Sequence, residues 1–183
     1  MKRQDGSTWY FAYGANMSRR VFVERRGMRP LESEIASLQG YRLAFALKGF
    51  AVVEPAFATL LPDASGTVHG VLHRLGEADL ERLEKLEDEY ERCELPVTGA
   101  RCGPTVAQVY LASSTTLGLR PSRRYLALLC EGAREAGLPE AYVAWLAAHP
   151  SAHVPVLSTL AGASAKLYET YLAVSKRGAR RRA

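Results

Sequence analysis

The chain reads as an α+β (mixed α/β) protein: a small, mostly antiparallel sheet curled toward a β-barrel and flanked by helices. Three observations predict this. Strand-like segments joined by short, turn-rich connections fill most of residues 8 to 111, interrupted by two helical stretches, and helical periodicity dominates from Pro121 onward. Short connections suit antiparallel neighbours, whereas each parallel pair needs a long crossover. A chain of 183 residues buries roughly 70% of the surface its unfolded form exposes, which suits one core rather than two. The expected organisation is a single domain over residues 1–175 and a basic, flexible tail over residues 176–183.

Taken in order, Thr8 to Tyr13 is short and aromatic-rich, as a strand should be, and it runs into Gly14, where a turn is cheap. A helix capped by Asn16 or Ser18 is expected to follow and to stop at Gly27. Leu31 to Leu38 and Tyr41 to Leu47 alternate apolar and polar positions around Gln39-Gly40, which predicts a hairpin. Ala56 to Leu61 and Thr67 to Leu75 predict a second hairpin around Pro62-Asp63-Ala64-Ser65-Gly66. Between Glu77 and Glu89, Ala78, Leu80, Leu83 and Leu86 recur at helical spacing. Strands are expected again over Glu91 to Val97 and Thr105 to Leu111. Helices are then expected from Pro121 to Ala136, from Pro139 to Ala148, and from about Ala163 to Ser175.

Composition excludes several classes of function. Hydrophobic residues make up 48% and charged residues 23%, which is the balance of a folded globular protein rather than a disordered or fibrous one. The opening residues lack the apolar run of a signal peptide, and no window approaches the roughly 20 apolar residues of a membrane span, so a cytoplasmic protein without membrane contact is expected. Cys93, Cys102 and Cys130 are odd in number and lack C-x-x-C spacing, as reduced thiols would. Lys176, Arg177, Arg180, Arg181 and Arg182 account for the net charge of +5; without them 19 basic residues face 19 acidic ones. A neutral body argues against nucleic acid as a partner. An RNA-binding role for the tail is the reading its charge would otherwise suggest, and deleting residues 176–183 would test it. His69 and His73 share a strand face about 13 Å apart, and His149 and His153 flank Pro150. Neither pair can hold one metal ion, and none is expected.

The junction Tyr10-Phe11-Ala12-Tyr13-Gly14-Ala15-Asn16-Met17 carries the chemistry. A strand entering a glycine turn and then a helix leaves backbone N–H groups aimed into the turn, which suits a carboxylate or a developing oxyanion. Tyr10, Tyr13 and Asn16 add side-chain donors. This octapeptide resembles the Y-F-A-Y-G-S-N-M/L signature of the γ-glutamylcyclotransferase-like family. Pro55-Ala56-Phe57-Ala58-Thr59-Leu60 is similar to that family's segment before its central strand. His69-Gly70-Val71-Leu72-His73-Arg74-Leu75 is similar to the strand itself, and Cys130 to Tyr142 resembles the G-A-[KR]-E-x-G-L-P-x-x-Y stretch of the γ-glutamylcyclotransferase branch. Four blocks in the right order span residues 10 to 142. Y-G-A-N in place of Y-G-S-L separates the chain from the glutathione-specific relatives, and Ala15 stands where the family has Ser.

The resemblance implies a small mixed α/β barrel that converts an L-γ-glutamyl amino acid or amine into 5-oxoproline and the free amine. The substrate's own α-amine attacks its γ-carbonyl, so neither a protein nucleophile nor a cofactor is needed. It also implies a single glutamate base at the end of the helix that follows the central strand, and this lands on Glu87, with Asp88 and Glu89 as the fallback candidates. Read from charge pattern alone, these acids form one solvated face. Substrate contacts are expected from Tyr10, Phe11, Ala12, Tyr13, Gly14, Ala15 and Asn16, with the turn amides holding either the oxyanion or the α-carboxylate. Tyr125 matches a tyrosine that reaches the ligand in close relatives; packing on the barrel is its other reading. Tyr90 is placed to orient Glu87. The expected partner is a small γ-glutamyl compound, and a homodimer is left open. The alternative is a catalytically silent binding or regulatory member of the same fold.

Overall fold

The computed structural model describes residues 6–87 and 89–152, apart from 51 and 52. The expected helix from Ala163 to Ser175, the basic tail, His153 and Asp88 lie outside them. Five strands close into a barrel in the order β1-β3-β2-β4-β5: β1 (Thr8–Ala12), β2 (Glu32–Phe50), β3 (Glu54–Leu75), β4 (Tyr90–Gly99) and β5 (Gly103–Ala112). Every ladder is antiparallel except that joining β1 to β5, which is parallel at Tyr10 and Gln108. Pleating sends Val68, Leu72, Val97, Ala107 and Val109 to buried positions, and Phe11 and Leu38 join them in one core.

The two expected hairpins are one. β2 and β3 pair from Phe50↔Glu54 to Glu32↔Arg74 as a single long ladder. Gly40, at φ +81°, does not reverse the chain. It forms a bulge between Gln39 and Tyr41, and Asp63 to Gly66 bulge out directly across from it, between Pro62 and Thr67. The Asp63 carboxylate accepts from the Ser65 N–H (3.1 Å) and hydroxyl (2.9 Å), so the protrusion satisfies its own polar groups. Two sets of turn residues facing one another bend a strand pair without ending it. That bend lets one hairpin wrap the barrel.

The segment after Gly14 also departs from the expected helix. Ala15–Met17 is a 3-10 turn and Arg20–Arg25 is π-helical, closed by Arg26 N–H to Val21 O at 3.0 Å. The extra residue in that loop of bonds decides which arginine turns inward. Helix α1 spans Glu77–Glu84 and stops short of Glu89, leaving Glu87 in the turn that leads to β4. Helix α2 (Arg123–Ala136) is capped by Ser122 and ended by Gly137 at φ 77°, and α3 (Glu140–Ala147) follows it. Helix α2 packs against the 3-10 turn through Gly132, where an added Cβ would lie 2.7 Å from the Ser18 nitrogen. Among the described residues no helix is long and apolar enough to cross a membrane.

Candidate active site

A cleft of about 680 Å³ of empty space, its open mouth included, lies where the Gly14 turn, the end of the π-helical segment, the turn after α1, and β3 converge. Tyr10, Tyr13, Gly14, Ala15, Asn16, Glu87 and Tyr125 all line it. Phe11 and Ala12, also expected there, do not. Both are fully buried, and the Phe11 ring lies against Gly70, where an added Cβ would come within 2.8 Å of it. Strand pleating turns Phe11 away from Tyr10, and the chain leaves the strand before Tyr13.

Glu87 is held from two sides. Its Oε1 accepts from Asn16 Nδ2 at 3.2 Å and from Arg26 Nη1 at 2.5 Å, the Arg26 side chain being 15% exposed and that of Glu87 11%. Asn16 Nδ2 also donates to the Tyr10 hydroxyl (2.8 Å), while Asn16 Oδ1 has no hydrogen-bond partner among the described residues. Burial, then the nearby Glu87 charge, pushes the Tyr10 phenol far above its ordinary range. The same direction holds for Tyr13, whose hydroxyl donates to the Tyr110 carbonyl. Burial pushes the Tyr110 phenol up to about 12. All three therefore keep their O–H protons at neutral pH.

The 3-10 turn closes through the N–H groups of Met17 and Ser18, at 3.0 and 3.1 Å, so those of Gly14, Ala15 and Asn16 take no part in its bonding. Gly14 itself has φ −116°, so its use is not a left-handed turn. A Cβ there would lie 3.4 Å from the Tyr125 hydroxyl, at the limit of ordinary contact. Tyr125 packs on the barrel and also lines the cleft. Its ring meets Phe45 and Phe57 edge-on at 6.2 and 5.4 Å, and its hydroxyl reaches the cleft, accepting from Ala58 N–H at 3.3 Å. Tyr90 lines the cleft too; its hydroxyl donates to the Ala58 carbonyl (3.0 Å) and its N–H to the Glu87 carbonyl (3.0 Å), while Asn16 and Arg26 meet the Glu87 carboxylate. Glu89 also lines the cleft.

Sequence reading missed Arg26 and Tyr110. Nothing in Arg25-Arg26 tells which points inward until the π-helical register is known; Arg25 is exposed. Tyr110 sits in an unexceptional strand, and its register against β4 and β1 brings it to the cleft. Among the described residues no three His, Cys, Asp or Glu side chains could share a metal ion. His73 instead has Nδ1 at 2.8 Å from the Ser33 hydroxyl and Nε2 at 3.2 Å from the Asn16 carbonyl.

The chain and its barrel have counterparts among known proteins. The sequence model of the AIG2-like family matches residues 67–146. A γ-glutamyl cyclotransferase of Claviceps purpurea is 31% identical over 150 residues, 73% of this chain and 66% of its own. One from Aspergillus oryzae is 27% identical over 165 residues, 77% of this chain and 60% of its own. A solved structure titled γ-glutamyl cyclotransferase superposes with a TM-score of 0.70 at 25% identity, covering 80% of this chain and 89% of the other. The chain belongs to the γ-glutamylcyclotransferase-like family. Its match spans 60% and 66% of the two fungal proteins, so it corresponds to under two thirds of each. Within the family barrel, the four sequence blocks occupy the strand and turn around Gly14, the two parts of β3, and the stretch from α2 into α3.

Proposed function

We propose that the protein is a γ-glutamyl cyclotransferase, closing an L-γ-glutamyl amino acid or amine to 5-oxoproline and releasing the amine. The observation that carries this reading is that Glu87 and the Gly14 turn line one cleft, joined by the 3.2 Å bond from Asn16. The reaction is intramolecular, so binding the glutamyl chain folded, with its α-nitrogen against its γ-carbonyl, supplies much of the rate. Glu87 accepts a proton from the α-ammonium, and the freed amine attacks the carbonyl carbon. The tetrahedral intermediate then collapses with cleavage of the original amide C–N bond. Two protons leave the α-nitrogen and two reach the departing nitrogen; Glu87 carries them in turn and ends the cycle ionised. Asn16 Oδ1, a buried acceptor beside Glu87, suits the ammonium. The amides of Gly14, Ala15 and Asn16, which stand outside the bonding of the 3-10 turn, suit the oxyanion or the α-carboxylate.

The test is a panel of γ-glutamyl dipeptides and amines assayed for 5-oxoproline. Turnover is expected with at least one, and Glu87→Gln should lower kcat by roughly 10²- to 10⁴-fold. A panel without product sinks the reaction class and leaves the silent binding protein; full activity in Glu87→Gln sinks the role of that residue alone.

A further inference from the structure

Arg26 is the sole Lys, Arg or His among the described residues that line the cleft, and the proposed mechanism gives it no contact with the substrate. The fold positions it with some care. The π-helical segment Arg20–Arg25 ends by passing the Arg26 N–H to Val21 O, five residues back, while Gly27 at φ 67° turns the chain away immediately afterward. The guanidinium arrives with Nη1 at 2.5 Å from Glu87 Oε1, both side chains mostly withdrawn from solvent.

This pair offers two opposite charges side by side in one cleft. Glu87 meets Arg26 and Asn16 through the same oxygen, Oε1, which leaves Oε2 to accept from an ammonium group beside the guanidinium. A ligand that brings a carboxylate to Arg26 as it brings an ammonium to Glu87 matches both charges of the site. γ-Glutamyl compounds can do so. The α-amine is attached to a carbon that also bears a carboxylate, and in a γ-glutamyl amino acid so is the leaving nitrogen. In each case the carboxyl carbon lies about 2.5 Å from the nitrogen, within reach of a guanidinium that already touches the base.

We propose that Arg26 is a substrate-carboxylate receptor, its guanidinium taking a carboxylate borne next to a nitrogen on which Glu87 acts. The proposal rests on the cyclotransferase reading of the same cleft. The planar guanidinium fits a carboxylate with two parallel hydrogen bonds, so arginine rather than lysine is the residue suited to the task. Two sources share this chemistry: the glutamyl α-carboxylate, present in every substrate, and the carboxylate of a departing amino acid, absent from a departing amine.

Two substrates differing only in that second carboxylate separate them: L-γ-glutamyl-L-alanine and L-γ-glutamylethylamine. With the alanine compound, Arg26→Met should lower kcat/KM on the order of a hundredfold, chiefly through KM, and Arg26→Lys should fall between. If the ethylamine compound is turned over equally well by wild type and Arg26→Met, the receptor takes the leaving amino acid's carboxylate. An equal loss on both substrates assigns it the glutamyl α-carboxylate. A kcat/KM for the alanine compound within about threefold of wild type in Arg26→Met overturns the proposal.

Calorimetric titration with L-glutamate, which undergoes no amide cleavage, reads the receptor without turnover. Binding weakened at least about tenfold in Arg26→Met supports it and assigns the α-carboxylate, and equal binding together with an unchanged kcat/KM for the alanine compound overturns it. A protein that makes no 5-oxoproline but loses glutamate binding on substitution would refute the cyclotransferase reading and keep the receptor. Unchanged turnover and binding would do the reverse. Circular dichroism checks that each variant is folded; should Arg26→Met not fold, Arg26→Lys carries the same test with about a tenfold loss expected.

Discussion

At the scale of the residue, the site depends on Asn16 more than its sequence context announces. One amide nitrogen serves both the Tyr10 hydroxyl and Glu87, and the residue's carbonyl faces His73 Nε2, so Asn16 connects the base to the barrel wall. Asn16→Leu keeps the volume and removes the donor. A hydrogen bond to a charged group is worth about 1.5–3 kcal/mol, so kcat/KM should fall roughly ten- to a hundredfold. Steady-state assay on a γ-glutamyl dipeptide reads this, and an unchanged value would mean that Arg26 alone positions Glu87. Ala15, where relatives carry Ser, lines the same cleft. Ala15→Ser adds a hydroxyl without touching the backbone amides, and its expected effect on kcat/KM, in either direction, is within about tenfold on the same assay. A larger change would make that hydroxyl a determinant of carbonyl position. The place of Glu87 on the cleft was legible because the resemblance and the handover from helix to strand pointed there, with Asp88 and Glu89 as fallbacks. Arg26 was not, because its inward turn depends on a π-helical register that no composition or spacing encodes.

At the scale of the element, helix α2 illustrates how a cap can serve a site. Ser122 Oγ accepts from the Tyr125 N–H at 3.0 Å and donates to the buried Glu54 carboxylate at the start of β3, which also accepts the Ser122 N–H at 2.8 Å. Burial pushes the Glu54 carboxyl pKa up against these bonds. Because Tyr125 occupies the first turn, the cap fixes the residue whose hydroxyl reaches the cleft. Ser122→Ala should destabilise the protein by about 1–3 kcal/mol, combining a lost cap with a buried carboxylate left short of a donor. Chemical denaturation measures it; a loss under about 0.5 kcal/mol would mean that the Glu54 contact is dispensable. The Gly137 stop of this helix and a start at Pro121, two residues before the observed Arg123, were readable from the sequence, since each signal acts on its own neighbours. The long β2/β3 ladder was not. Gly40 and the Pro62–Gly66 run carry ordinary turn signals, and only their placement opposite one another makes them a bend.

At the scale of the whole molecule, barrel closure depends on pairings distant in sequence. The antiparallel hairpin of β4 and β5 follows from local patterning, whereas the parallel contact of β1 with β5 joins Tyr10 to Gln108 and is invisible to any local rule. His73 ties several of these distant parts together. It lies on β3, stacks on Phe22 at 4.3 Å, and stands between the Ser33 hydroxyl of β2 and the Asn16 carbonyl of the site turn. A carbonyl only accepts, so Nε2 carries the proton and Nδ1 accepts from Ser33. Burial holds the His73 pKa down to about 4. The folded protein therefore binds that proton less readily than the unfolded chain, whose histidine titrates near 6.5. The resulting stability is complete above about pH 6.5 and is lost progressively as the pH falls toward 4, a change on the order of 3 kcal/mol. His69 and His149, also lowered by burial, act in the same direction, so the wild-type slope alone does not isolate His73. The comparison with His73→Gln does. Between pH 6.5 and 4 the wild type should lose more stability than the variant by the equivalent of up to one proton, measured as urea midpoints across that range. Parallel curves would show that His73 is protonated in the folded barrel, and that the Asn16 turn is held without its neutral tautomer.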